Sequence, residues 1–291
     1  MTCTETTETT TLADAGVLAS LGSQEAIRNL SRLLEQAKPQ LVDVIRARTA
    51  WLFWRRIHGY SSYQPILTPP TANQKYGKSK RPTYGVSLAP AKSSGYNACT
   101  FSTDDCEFGC VAHAGNGRYE TVPRARIMKT RFLAVYPSEF LTLVADEISQ
   151  AIKRHAKRGQ RIAVRLNTFS DLRWEIIAPW LFTMFPRVTF YDYTKWTRRD
   201  VPRNYHLTFS VSERDDDAHA LKMLDRFGTV AVIFDTRRGR PLPATFLGAP
   251  VIDGDKSDER YIDKRGVVVG LRAKGKMIGT GLAMVRPGIA S

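Results

Sequence analysis

A chain of 291 residues, 43% of them hydrophobic, can bury the core of one large barrel or of two modest domains, and no run approaches the ~18 apolar residues of a membrane span. Four cysteines do not make a disulfide scaffold at this length, and the opening MTCTETTETTTLADAG has neither the basic nor the apolar region of a secretory signal, so a reducing cytoplasm is expected. Lys and Arg number 43 against 28 Asp and Glu, a net charge of +15, which favours nucleic acid or a phosphate-bearing substrate as partner.

In chain order, residues 1–22 read as a polar, Thr/Glu-rich tail without structure. Ser23 to Lys38 reads as an amphipathic helix with Ile27, Leu30, Leu33 and Leu34 on one stripe, Ser23 as its cap and Pro39 at its end. Gln40 to His58 continues as a second helix. Its Trp51, Phe53 and Trp54 stand beside Arg46, Arg48, Arg55 and Arg56, a pattern that predicts docking on the main domain. Together these form a helical segment over 23–58. Residues 59–83, with Pro65, Pro69, Pro70, Gly77 and the run Lys78-Ser79-Lys80-Arg81, read as an extended linker.

The main domain is expected over 84–291. Strands are predicted at Gly85–Ala89, Arg161–Leu166, Val188–Tyr193, Tyr205–Val211, Thr229–Phe234, Gly248–Ile252 and Gly266–Leu271. Helices are predicted between them at Val122–Val135, Pro137–Lys157, Asp171–Phe185 and Asp215–Phe227. This alternation argues for an α/β fold with a parallel sheet, as a TIM-like or incomplete (β/α) barrel, with a doubly wound open sheet as the alternative. No G-x-G-x-x-G or P-loop follows any strand.

The stretch CTFSTDDCEFGCVAH holds Cys99, Cys106 and Cys110, with His113 following. Thiolates gathered this closely predict a soft metal or an iron–sulfur cluster, although the spacing matches no standard zinc finger or ferredoxin run. Cys99, Cys106, Cys110 and His113 also supply the ligand types of a closed zinc site, with His113 as the possible fourth ligand.

Polar residues follow almost every predicted strand, and in a parallel barrel they share the carboxyl-end face where chemistry is done. The candidate cleft residues are Asn167, Asp171, Glu175, Asp192, Lys195, Ser210, Glu213, Asp253 and Arg260. Arg198, Arg199, Arg237 and Arg238 are the candidates for holding phosphate. Asp171 equally reads as a plain helix cap. Asp253, Asp255 and Asp258 suggest a weaker, magnesium-dependent phosphodiesterase reading. No G-x-S-x-G or H-E-x-x-H is present.

The cysteine loop, followed by RLNTFSDLRWE, FYDYTKW, NYHLTFSVSE, VIDGDKSDERYID and GVVVGLRAKG, resembles a family found largely in bacteriophages of actinobacteria, the gene-product-eighty-eight family. The resemblance covers roughly Tyr84 to Lys276, and the family is similar in pattern to radical-SAM barrels. It implies a [4Fe–4S] cluster on Cys99, Cys106 and Cys110 with one iron open for S-adenosylmethionine, in a host-cell cytoplasm. The loop is wider than the radical-SAM C-x3-C-x2-C pattern, and no glycine-rich SAM motif is evident. Two functions follow from these readings. One is an iron–sulfur barrel protein acting on or binding nucleic acid. The other is a non-enzymatic cluster or zinc protein that binds DNA, RNA or a host transcription or replication protein. Whether the chain is an enzyme stays open.

Overall fold

The computed structural model describes residues 27–72, 74–77 and 79–288, so the expected tail and the Ser23 cap lie outside the described residues. Helix α1 runs Leu30–Ala37, with the Asn29 side chain accepting from the Arg32 N–H. It stops at Lys38, whose left-handed backbone (φ 44°) and the following Pro39 cannot continue it. Helix α2 runs Val44–Ile57 from an Asp43 cap. Two longer helices follow, α3 (Thr121–Val135) and α4 (Pro137–Ala156). The expected docking stripe is buried through Trp51 and Trp54, while Phe53 faces solvent. Arg46 and Arg48 pair with Glu139 and Asp146 of α4 at 2.9 and 2.8 Å, which fixes the seat of α2 on that helix.

All seven predicted strands are present: β3 (Thr83–Val86), β5 (Ala163–Arg165), β6 (Thr189–Thr194), β7 (Tyr205–Ser210), β8 (Thr229–Asp235), β10 (Ala249–Asp253) and β11 (Val267–Arg272). Short strands that carry no sequence signal of their own are β1 (Arg28–Asn29), β2 (Leu67–Thr68), β4 (Tyr96–Asn97), β9 (Thr245–Phe246) and β12 (Val285–Pro287). The large sheet runs in the order β2-β3-β5-β6-β7-β8-β11-β10-β9. Every pairing from β3 to β10 is parallel, and antiparallel β2 and β9 close its two ends. The fold is therefore α/β with N-terminal helices and a large mixed sheet. Among the described residues its hydrogen-bonded order is a path with two ends, and no ladder joins β2 to β9.

β8 is shared in an unusual way. β7 pairs only with its first part (Phe209 opposite Val230, Ser210 opposite Ala231), and β12 takes over alongside Ile233–Asp235. β11 meanwhile pairs along the whole of the opposite edge. β7 thus meets β8 only through its last two residues, and β8 runs on beside β12 past the end of β7.

Side-chain alternation separates the two faces of the sheet. Val164, Phe190, Tyr205 and Leu207 pack with Trp51, Phe132 and Phe140 of the helices in one core. Phe209, Val230, Val232, Phe234 and Val268 pack with Ala220, Met223 and Leu224 of helix α5 (Asp217–Phe227) in a second. The opposite face carries Thr83, Arg165, Tyr191, Tyr193 and Thr208. The segment after β10 crosses it, placing Asp258 2.6 Å from the Arg165 guanidinium and Tyr261 against Tyr191.

Within the stretch read as a linker, 59–83, several described residues are packed. Ile66 and Leu67 are buried, and Tyr76 sits over Gly85 with its hydroxyl 2.6 Å from Thr168 Oγ1. A Cβ at Gly85 would lie 2.1 Å from that hydroxyl, so only glycine fits there. The predicted helix Asp171–Phe185 divides into Trp174–Ile177 and Pro179–Met184, because Pro179 has no N–H to continue the ladder. Among the described residues, no helix is long and apolar enough to cross a membrane.

Candidate functional site

The carboxyl ends of the strands carry the cysteine segment. Its base is fixed by backbone: the Asp171 N–H donates to Ala98 O at 2.9 Å, and the Cys99 N–H to Asn97 Oδ1 at 2.9 Å. Thr103 caps the short helix Asp104–Phe108. Glu213, just beyond β7, accepts from Thr103 Oγ1 at 2.6 Å and from the Asp105 N–H at 3.2 Å. Asp105 in turn accepts from the Met284 N–H, next to β12. Gly109 lies directly on Met277, which leaves no room for a larger residue.

The thiols do not form a metal centre, and the expectations of a [4Fe–4S] cluster, zinc or bound S-adenosylmethionine are corrected here. Among the described residues, no three His, Cys, Asp or Glu side chains are grouped so as to hold a metal ion. The Cys99 thiol points down into the turn, donating to Phe169 O at 3.6 Å and accepting from the Ala91 N–H at 3.4 Å. Burial holds it protonated, with a pKa far above the usual thiol range. Burial also pushes Cys110 up to about 11. Cys106 lies within the short helix, and His113, exposed on a following turn, is lowered by burial and by Lys276 and Arg126. Spacing brought the four residues close in sequence but did not aim them at one point.

The remaining candidates divide into three groups. Asp171, Glu175, Lys195, Ser210 and Glu213 lie at the carboxyl ends. There Asp171 accepts from Thr194 Oγ1 and the Lys195 N–H at 2.8 and 2.7 Å, and Lys195 Nζ reaches Ser210 O at 3.3 Å. Burial raises the Asp171 pKa, against the pull of Arg199. Arg199 is fully enclosed and committed to Glu175, with NH2 to Oε2 at 2.5 Å.

A second group holds the sheet together. Asn167 Oδ1 accepts from Ser170, Leu172 and Trp174, and its own N–H donates to Asp192, which is wholly buried. Arg260, also buried, donates to Ser257 O at 2.6 Å.

The third group lies at the carboxyl ends of β10 and β11. Asp253 pairs with Arg272 at 3.0 Å, and Asp255 is held by Arg272 and Lys274, whereas Asp258 turns to Arg165 on the other face. The three aspartates therefore do not converge on a cation. Arg198, Arg237 and Arg238 are exposed.

The same segment carries apolar and aromatic residues that neither cysteine spacing nor carboxylates point to. Phe101 (43% exposed), Phe108 (50%), Val111 (48%) and Tyr119 (68%) are all presented to solvent. Phe101 packs edge-on against Trp196 with ring centroids 4.5 Å apart, and the Arg173 guanidinium lies 4.2 Å over the Trp196 ring. Lys276 sits 5.6 Å from the Phe108 ring. The signal in the sequence was the presence of large apolar residues inside a polar, Gly- and Asp-rich loop, where a buried core has no use for them.

The structural class is thus an α/β sheet protein with an aromatic and cationic surface at the carboxyl ends of its strands. The chain belongs to the phage protein family Gene product 88, whose model matches residues 65–286, from just before β2 into β12. No match is found among curated proteins or among solved structures.

Proposed function

We propose that this protein binds single-stranded nucleic acid across the carboxyl-end face, with bases stacked on the exposed rings and phosphates held by neighbouring cations. The observation that carries the reading is the set of exposed rings on a braced segment, Phe101 on Trp196 and Phe108 beside the Lys276 cation. Base–aromatic stacking is worth about 1–3 kcal/mol per base and tolerates any sequence, because every base has a π-face. The net charge of +15 supplies the attraction to a polyanion.

The test is fluorescence anisotropy with labelled 20-nucleotide single strands of DNA and RNA. Phe101→Ala with Phe108→Ala is expected to weaken binding about 10- to 1000-fold, the equivalent of one or two stacked bases. Unchanged affinity in a folded double variant would sink the reading. The aliphatic Val111 and Ile278, exposed on the same surface, favour a second reading, a docking face for a host protein. In that case the wild-type protein captures no oligonucleotide.

A further inference from the structure

The edge of the sheet opposite the aromatic surface has its own pattern. A basic residue stands just ahead of each of six neighbouring parallel strands: Arg81 before β3, Arg161 before β5, Arg187 before β6, Arg203 before β7, Arg226 before β8 and Lys264 before β11. Because these strands run in one direction, all six residues fall on one edge. Adjacent strands lie ~4.8 Å apart, so the row extends about 24 Å, the length of roughly seven phosphates along one DNA strand.

Four cations at the carboxyl ends are already committed, although Arg198, Arg237 and Arg238 there are exposed. Arg173, Arg199, Arg272 and Lys274 each face a carboxylate. Arg161, Arg187, Arg203, Arg226 and Lys264 are exposed and, among the described residues, hold no ion pair. Acids beside the row are held by other groups, and the ionised Glu259 offsets part of its charge at the Arg81 end. Glu259 is occupied by the N–H groups of Lys80 and Arg81 and by the Tyr261 hydroxyl, and Asp263 by Arg260. Asp225, next to Arg226, and Asp200, three residues before Arg203, are exposed. At the β3–β5 end the row opens into a cleft of about 530 Å³ whose lining includes Lys80, Arg81, Arg161 and Tyr261 together with the carboxylate of Glu259.

We infer that this amino-terminal edge is a second binding site, separate from the aromatic surface, which takes the phosphodiester backbone of duplex nucleic acid without reading its sequence. Five of the six residues are arginines, whose planar forks match phosphate oxygens. Tyr261, the aromatic residue in the cleft, already has Arg81 5.0 Å over its ring and Tyr191 edge-on to it. The edge grips charge alone. It goes beyond the single-strand reading and does not depend on it.

The test measures binding of a labelled 20-base-pair DNA duplex across a salt series. In R161A/R187A/R203A the slope of log K against log[salt] is expected to become shallower by about 2 to 3, since each phosphate contact contributes about 0.9. A control that removes the same charge from helix surfaces, R56A/K153A/K222A, is expected to keep the wild-type slope. R187A alone, expected to change the slope by about one, serves if the triple variant melts early. An unchanged slope in the edge variants, an equal change in the control, or absence of duplex binding by wild type overturns the inference. Phe101→Ala with Phe108→Ala leaves the duplex slope as it is, so failure at one surface is told apart from failure at the other.

Discussion

Asp192 shows how a residue that looks catalytic in sequence can belong to the frame. Its carboxylate accepts from the Leu166 and Asn167 N–H groups and from the Tyr205 hydroxyl, and Arg165 Nε lies 3.6 Å away. Burial nonetheless pushes its pKa up to about 7, against Arg165 and those donors. The folded protein therefore prefers the protonated acid, while an unfolded chain ionises near ~4. The stability tied to this proton is complete below pH ~4 and is lost as the pH rises towards 7. Asp255 and Glu259, whose pKa values are lowered, act in the opposite sense, so the comparison must be with a variant. Urea unfolding at pH 4.5 and 7.5 is expected to show this loss in wild type relative to Asp192→Asn; parallel pH profiles would contradict it. Asn167 and Arg260 tell the same story. A polar residue at a strand end reads identically whether it meets solvent or backbone, because the neighbours that decide this come from other strands.

At the level of the element, the short helix Asp104–Phe108 depends on a residue 108 positions from its Asp105 N–H. Glu213 satisfies that free N–H and the capping Thr103, and its charge suits the helix amino terminus. Glu213→Ala is expected to cost about 1–2 kcal/mol and to raise hydrogen exchange across residues 99–120. Single-strand affinity is expected to fall with it, because the rings lose their rigid seat. Exchange in that segment equal to wild type would show that the brace is not needed. The cysteines illustrate the limit of spacing as evidence. Their separations bound how near the thiols can come, but the turn at Ala98 sends Cys99 inward while Cys106 and Cys110 ride on the short helix and its end. Direction is set by the Asp171–Ala98 hydrogen bond, which no local pattern announces.

For the whole molecule, the seven main strands and three of the four predicted helices of the main domain were legible, because β-branched runs and a 3.6-residue period are local properties. The two-residue strands and the packed residues Ile66, Leu67 and Tyr76 were not, since their order comes from contacts made elsewhere. Tyr76 in its slot above Gly85 is the clearest instance. The N-terminal helices share one core with β5, β6 and β7, through Trp51, Trp54, Phe132, Val164 and Phe190. Trp51→Ala is accordingly expected to cost about 3–5 kcal/mol and to shift a single unfolding transition. Separate melting of the helical segment, seen as two transitions in calorimetry, would refute this.

The connection between β3 and β5 is the feature with the widest consequence. It spans residues 87–162, whereas a parallel crossover needs only a dozen or more. Both ends are pinned in neighbouring strands, with Thr83 opposite Ala163. Closing such a connection costs only about 0.6 kcal/mol more for each doubling of its length. Descent can therefore rewrite the ring-bearing segment, lengthening or trimming it between relatives, while the register of the strands beneath it is inherited unchanged. Ligand preference would diversify in this one interval, and the sheet would hold still.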